Sequence, residues 1–166
     1  IKSQTHNNYI NRIKAFYRLK IADMEVIKGR YRIAMDIYNE DTIVNAAEKH
    51  DVALERNYGL GNVYKGLQDL DSAITFYRKS VKKTEESQAS ISVEQFKIGH
   101  FSQYIDPYNA LIQCLLTQYK NTGDPSRLDS MFHYMEISRS RTLRDLRLKE
   151  GYAKDQPNTP EYKAYQ

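Results

Sequence analysis

The sequence predicts an all-α chain, and three observations lead there. Only seven glycines and four prolines punctuate 166 residues, and between them apolar residues recur at steps of three and four, the period of a helix with one buried face. Strand-type alternation is scarce. Hydrophobic residues make up 40% of the chain and charged residues 28%, too apolar for a disordered segment and sufficient for a core at this length.

Each element follows from local spacing. In NNYINRIKAFYRLKIADMEVI, Tyr9, Ile10, Ile13, Phe16, Tyr17, Ile21, Met24 and Ile27 share one side of a helix. KGRY interrupts the pattern, and Tyr31, Ala34, Ile37 and Tyr38 resume it. NEDT is a turn ending in a cap, from which Thr42 opens a stretch through Ile43, Ala46, Ala47, His50, Ala53 and Leu54. YGLGNVYKGLQDLDSAITFYRKSV predicts two helices parted at the polar QDLD. EESQASISVEQFKIGH, residues 85–100, reads as a loop or break with a short helix after it, because a lone strand has no partner here.

The last pair runs from DPYNALIQCLLTQY through KNTGDPS into RLDSMFHYMEISRSR. Asp106-Pro107 marks a helix start, and Asp124 or Ser126 can cap the next one. From there the expected stripe is Leu128, Met131, Phe132, Met135, Leu143 and Leu146, with no heptad sustained long enough for a coiled coil. Near the end, Thr159-Pro160 has the chemistry of a helix start with no room for the helix. The chain therefore reads as a piece of a longer protein, with a helical region over 1–150 and a linker plus the start of a following helix over 151–166.

Composition narrows the function. A net charge of +4 permits an acidic partner without demanding one. No run approaches the apolar length of a membrane span, and the polar IKSQTHNNYI is unlike a secretory signal. One cysteine forms no internal disulfide, which suits a reducing, cytoplasmic setting. Fourteen tyrosines and no tryptophan suit helix packed against helix with the polar tip of each ring kept in water.

Leu60, Gly61 and Tyr64, followed by Ala73 and Tyr77, resemble the tetratricopeptide (TPR) signature, in which Leu-Gly-x2-Tyr on one helix precedes Ala-x3-Phe on its partner. The frame fits again 39 residues earlier, with Ile21 and Ala22 in the Leu-Gly places, Glu25 where the aromatic belongs, Gly29 and Tyr31 in the turn, and Ala34 and Tyr38 completing it. The resemblance implies a TPR-like right-handed superhelix of about seven antiparallel helices, in repeats over about 6–56, 57–100 and 101–150.

Residues 101–146 carry a narrower resemblance. Phe101, Tyr108, Leu111, Ile112, Leu115 and Leu116, then Glu136, Ser138, Arg139, Arg141, Leu143, Asp145 and Leu146, are similar to the segment preceding the protease domain of CHAT proteins. These are caspase-like, separase-related cysteine peptidases fused behind TPR arrays. Arg147 and Met131 depart from residues common in that family, a leucine and an alanine. The resemblance implies a non-catalytic segment that recognises a protein or peptide partner and signals to a neighbouring peptidase domain. Family settings include bacterial defence, CRISPR-associated partners and cleavage of gasdermin-like proteins. A free-standing TPR adaptor for a short peptide and a helical nucleic-acid-binding module are the alternatives.

A caspase-like centre needs a His-Gly and a Cys at strand ends, whereas here Gly99-His100 has the opposite order and Cys114 lies on an apolar helical face. No catalytic residue is assigned, and Cys114 reads as a core residue. The histidines at 6, 50, 100 and 133 lack ligand spacing, so neither metal nor cofactor is expected. TPR arrays bind through the groove lined by first helices, which nominates Tyr58, Asn62 and Lys65, then Asn109 and Gln113, against the alternative of solvated surface. An amide there suits a peptide backbone and an ammonium suits a carboxylate. Arg139, Arg141, Arg144 and Arg147 are read as a solvated, ion-paired face or a docking surface for the neighbouring domain. Glu136, Asp145 and Glu150 interrupt them, so direct nucleic-acid binding is not expected.

Overall fold

A computed structural model describes residues 2–47, 50–90 and 106–155, with side chains described for 9–47, 51–87, 106–140 and 142–143. Every described element is a helix: α1 (Lys2–Ile27), α2 (Tyr31–Tyr38), α3 (Asp41–Ala46), α4 (His50–Gly66), α5 (Leu70–Ser90), α6 (Asp106–Thr122) and α7 (Pro125–Asp155). Helix α1 packs on α2, α3 and α4, then α4 on α5, α5 on α6 and α6 on α7, so the stack grows by neighbours.

The period of 39 residues recurs in backbone geometry. Helix α1 ends with Gly29 at φ +73°, and α4 ends with Gln68 at φ +64°. The Gly29 N–H donates to Val26 O (2.9 Å) and the Arg30 N–H to Glu25 O (2.9 Å); one repeat later Gln68 donates to Lys65 O (3.1 Å) and Asp69 to Tyr64 O (3.0 Å). Both are Schellman closures, in which a left-handed residue satisfies the last carbonyls of a helix. Asp69 then accepts from the Ser72 N–H (3.0 Å) and opens α5. The third turn is simpler: Gly123 at φ +69° donates to Tyr119 O (2.7 Å). Asp124, followed by Pro125, accepts from the Ser126 N–H (3.0 Å), so of the two caps expected it is Asp124 that serves.

Helix α4 is held from two sides by tyrosines seated on glycines. A Cβ on Gly61 would lie 2.5 Å from the Tyr77 ring of α5, and Cβ atoms on Gly59 and Gly66 would overlap the rings of Tyr38 and Tyr31 of α2. Gly59 and Gly66 are seven residues apart, as are Tyr31 and Tyr38, so two turns of antiparallel helix bring each ring onto its seat. Gly61 lies on the opposite side of α4 and faces α5.

Two core clusters result. Ala15, Leu19, Ala22, Ala34, Tyr38 and Val63 belong to the first, and Ala73, Tyr77, Tyr108, Leu111, Cys114 and Leu115 to the second. Both tyrosine hydroxyls are satisfied at equivalent places: Tyr38 donates to Asp23 Oδ1 (2.5 Å) and Tyr77 to Asn62 Oδ1 (2.8 Å). Burial and the Asp23 carboxylate push the Tyr38 phenol far above its ordinary range, and burial does the same to Tyr77. Among the described residues no helix is long and apolar enough to cross a membrane.

Several boundaries differ from those expected. The stretch from Thr42 to Leu54 is divided: α3 ends at Ala46, and α4 runs from His50 across the expected repeat boundary at 56/57. The break expected over 85–100 starts later, because α5 continues to Ser90; residues 91–105 lie outside the described residues. Helix α7 continues to Asp155, past the expected end at 150, while 156–166 lie outside.

The α7 stripe is rotated by about a quarter turn from the one expected. Met131 and Ser138 are buried, with Leu128, Tyr134 and Ile137 packed beside them, while Phe132 is 56% exposed, Met135 44% and Leu143 50%. The face that meets α6 therefore carries tyrosine and serine in place of the more apolar face that the spacing selects.

Gly61→Ala should destabilise the chain by about 1–3 kcal/mol through overpacking, with Gly61→Ala/Tyr77→Leu costing less than the sum of the single changes. Additive effects in urea unfolding would contradict the seat. Gln68→Gly should raise stability by about 0.5–1 kcal/mol by relieving the left-handed strain that Gly29 avoids. A lower melting temperature would contradict the turn geometry.

Candidate functional site

Two of the depressions among the described residues lie between the first helices of the three hairpins, α1, α4 and α6, and their neighbours. The first, of about 330 Å³, lies among α1, α4 and the start of α6. Val26, Leu54 and Pro107 are among its apolar lining residues, and Asp23, Glu55 and Asp106 contribute carboxylates. Lys20 lines it too and reaches Asp23 (3.2 Å) and Glu55 (3.3 Å).

The second depression, of about 610 Å³, lies between the α4–α5 turn and α6. Its charges are of one sign, Lys65 and Lys120, set among Gln68, Gln113, Thr117 and Asn121, with Leu70, Leu116 and Cys114 as the apolar part. Lys65 donates from Nζ to Gln113 Oε1 (3.4 Å), linking the second hairpin to the third across the cleft. Two ammonium groups beside apolar surface and side-chain amides suit a ligand that brings a carboxylate and an aliphatic or aromatic group.

The five expected groove residues take different positions. Tyr58 and Asn62 line the first depression, and Lys65 and Gln113 the second. Asn109 is exposed on the first turn of α6. Tyr58 is half-buried, its ring centroid 5.9 Å from that of Tyr77. Burial, with the nearby Asp106 charge, raises its phenol above the ordinary range.

Asn62 does more than line a surface. Its Oδ1 accepts the hydroxyl of fully buried Tyr77, so this half-buried residue supports the core as well as lining the depression. One signal in the sequence marks this: 39 residues earlier Asp23 stands in the same relation to Tyr38. The spacing also marks Lys120, which the groove reading omitted. Gln113, Thr117 and Lys120 follow at steps of four and three and therefore share one side of α6.

Cys114 is 1% exposed, between Leu111 and Leu115. Burial pushes its thiol up, only partly opposed by Lys65, the reverse of what activates a nucleophile. Among the described residues no group of histidine, cysteine, aspartate and glutamate side chains could hold a metal ion. Arg139 is exposed on the outward face of α7 with Phe132, Met135 and Leu143. Arg141, Arg144 and Arg147 lie within the same helix, and their side chains are outside the described residues.

No family model, curated protein or solved structure matches the chain.

Asn62→Ala should cost about 1–3 kcal/mol, because it leaves the buried Tyr77 hydroxyl without its acceptor. Tyr77→Phe in the same chain should recover part of that loss, since the stranded hydroxyl is then gone. Lys65→Ala should leave stability nearly unchanged. Equal stability of Asn62→Ala and wild type in urea unfolding would return Asn62 to the surface.

Proposed function

We propose that the chain is a non-catalytic, TPR-like right-handed superhelix that binds a protein or peptide partner across the face of its first helices. In this reading it is the interaction and regulatory segment of a larger CHAT-type cysteine peptidase acting in the cytoplasm. The observation that carries the binding role is the second depression, where among the described residues the charged lining side chains are lysines and apolar surface lies beside them. A peptide carboxylate placed between Lys65 and Lys120 gains two cationic neighbours, while Leu70 and Leu116 receive an apolar side chain next to it.

The hairpin repeat supports the architecture. Schellman turns, buried alanines and satisfied tyrosines recur at one period, as expected of units that each bury a face on the next. Helix α7 supports a neighbouring domain: Phe132, Met135 and Leu143 form an outward apolar face with Arg139 among them. Arg139 supplies a polar contact of that docking surface.

The test is a displayed peptide library selected on the 166-residue chain. Enriched peptides should carry a carboxylate beside an apolar residue, and their affinity should fall with salt. Lys65→Ala/Lys120→Ala should weaken them by about tenfold or more, or 1.4 kcal/mol, at unchanged melting temperature. Enrichment of basic peptides, or binding indifferent to both lysines, would contradict the reading.

A further inference from the structure

Helix α1 carries a large apolar face that no described residue covers. Tyr9 is 63% exposed, Tyr17 72%, Met24 56% and Ile27 84%. One repeat later the same face is a buried interface. Ile13, Ile21 and Met24 correspond to Val52, Leu60 and Val63, which belong to the core shared with α1 and α2. Tyr17 corresponds to Arg56, which donates to Tyr38 O (2.8 Å) and Asn39 Oδ1 (2.6 Å) at the end of α2. On α4 these positions receive a neighbouring hairpin, so on α1 they form a face of the same type left open.

The occupant on α1 is of another kind. Lys20 and Ile27 stand where α4 has Gly59 and Gly66, the seats of Tyr38 and Tyr31. A further hairpin bringing tyrosines at those places would collide with both side chains.

A second α1 does fit. Ile10, Ile13, Tyr17, Lys20, Met24 and Ile27 follow at steps of three, four, three, four and three, the seam of a two-helix coiled coil. The series is also palindromic about the midpoint between Arg18 and Leu19. Two antiparallel copies in that register set Ile13 against Met24 of the second copy, Ile10 against Ile27, and Tyr17 against Lys20. Each pairing occurs twice, as a two-fold contact requires. Lys20 brings an ammonium to the Tyr17 ring while Asp23 and Glu55 of its own chain balance the charge. A polar residue at one seam position also disfavours other registers.

We propose that α1 is a dimerisation helix, two copies of the chain pairing antiparallel through the seam of residues 10–27. The seam is about five turns long, a contact at the small end of specific interfaces.

Sedimentation of the chain from about 1 to 200 µM, where a dimer held by roughly 5–8 kcal/mol dissociates, should show a reversible monomer–dimer equilibrium. Tyr17→Glu/Met24→Glu should shift the midpoint upward by at least about tenfold with helix content retained. Phe132→Glu/Met135→Glu, on the open face of α7, should leave it in place. Register is read separately in a Cys114→Ser background: Ile13→Cys chains mixed with Met24→Cys chains should cross-link on mild oxidation, and Ile13→Cys chains alone should not. A monomer at every concentration, as expected if another polypeptide segment covers this face, overturns the proposal. So does a dimer lost through the α7 changes or kept despite the α1 changes, and so does cross-linking of Ile13→Cys with itself as efficient as the mixed reaction.

Discussion

The close approach of α4 to helices on both sides is the constraint from which the rest of the fold follows. Three glycines in one 17-residue helix are poor for helix stability, costing about 0.5–1 kcal/mol each relative to alanine. Their positions explain them. Gly59 and Gly66 admit the rings of α2, and Gly61 admits the ring of α5. A tyrosine ring lying against bare backbone brings two helix axes nearer than side-chain contact allows, and it buries the aromatic area that offsets the propensity deficit. Helix α4 therefore owes its helicity to its neighbours, and they owe their positions to it.

The seats in turn determine where the polar groups go. A ring pushed onto a helix backbone carries its hydroxyl to the far side of that contact, where it needs an acceptor. Asp23 and Asn62 supply it at equivalent positions in their hairpins. Each is also on the wall of the first depression, so the side chains that hold the core shape the surface beside it. The second depression lies one step further along the stack. There the Schellman turn after α4 faces α6, and Lys65 reaches Gln113 across the gap. Charge changes along the same line: Asp23, Glu55 and Asp106 outnumber Lys20 around the first depression, and Lys65 and Lys120 are the described charges of the second.

Local pattern made much of this legible. The steps of three and four located the helices, and Leu60-Gly61-x2-Tyr64 with Ala73-x3-Tyr77 located the contact in which Gly61 seats Tyr77. The 39-residue echo pointed to equivalent turns, which the structure bears out at Gly29 and Gln68. Features set by three-dimensional neighbours were harder to read. Phe132 and Met135 are apolar and correctly spaced, but the face of α7 that meets α6 is the one carrying Tyr134 and Ser138. Asn62 looked like a surface amide because its sequence neighbours do not reveal that a hydroxyl from α5 ends against it. Gly59 and Gly66 carried no reading at all, since their partners precede them by 21 and 35 residues.

Native-state hydrogen exchange tests the central claim that α4 is the keystone of the stack. The amides of α4 between Val52 and Val63 should be among the slowest in the chain and should exchange only through global unfolding, with the same denaturant dependence as unfolding followed by circular dichroism. Exchange of α4 through a local opening, faster than the amides of α6, would show that the hairpins stand without the tyrosine seats and would contradict the account.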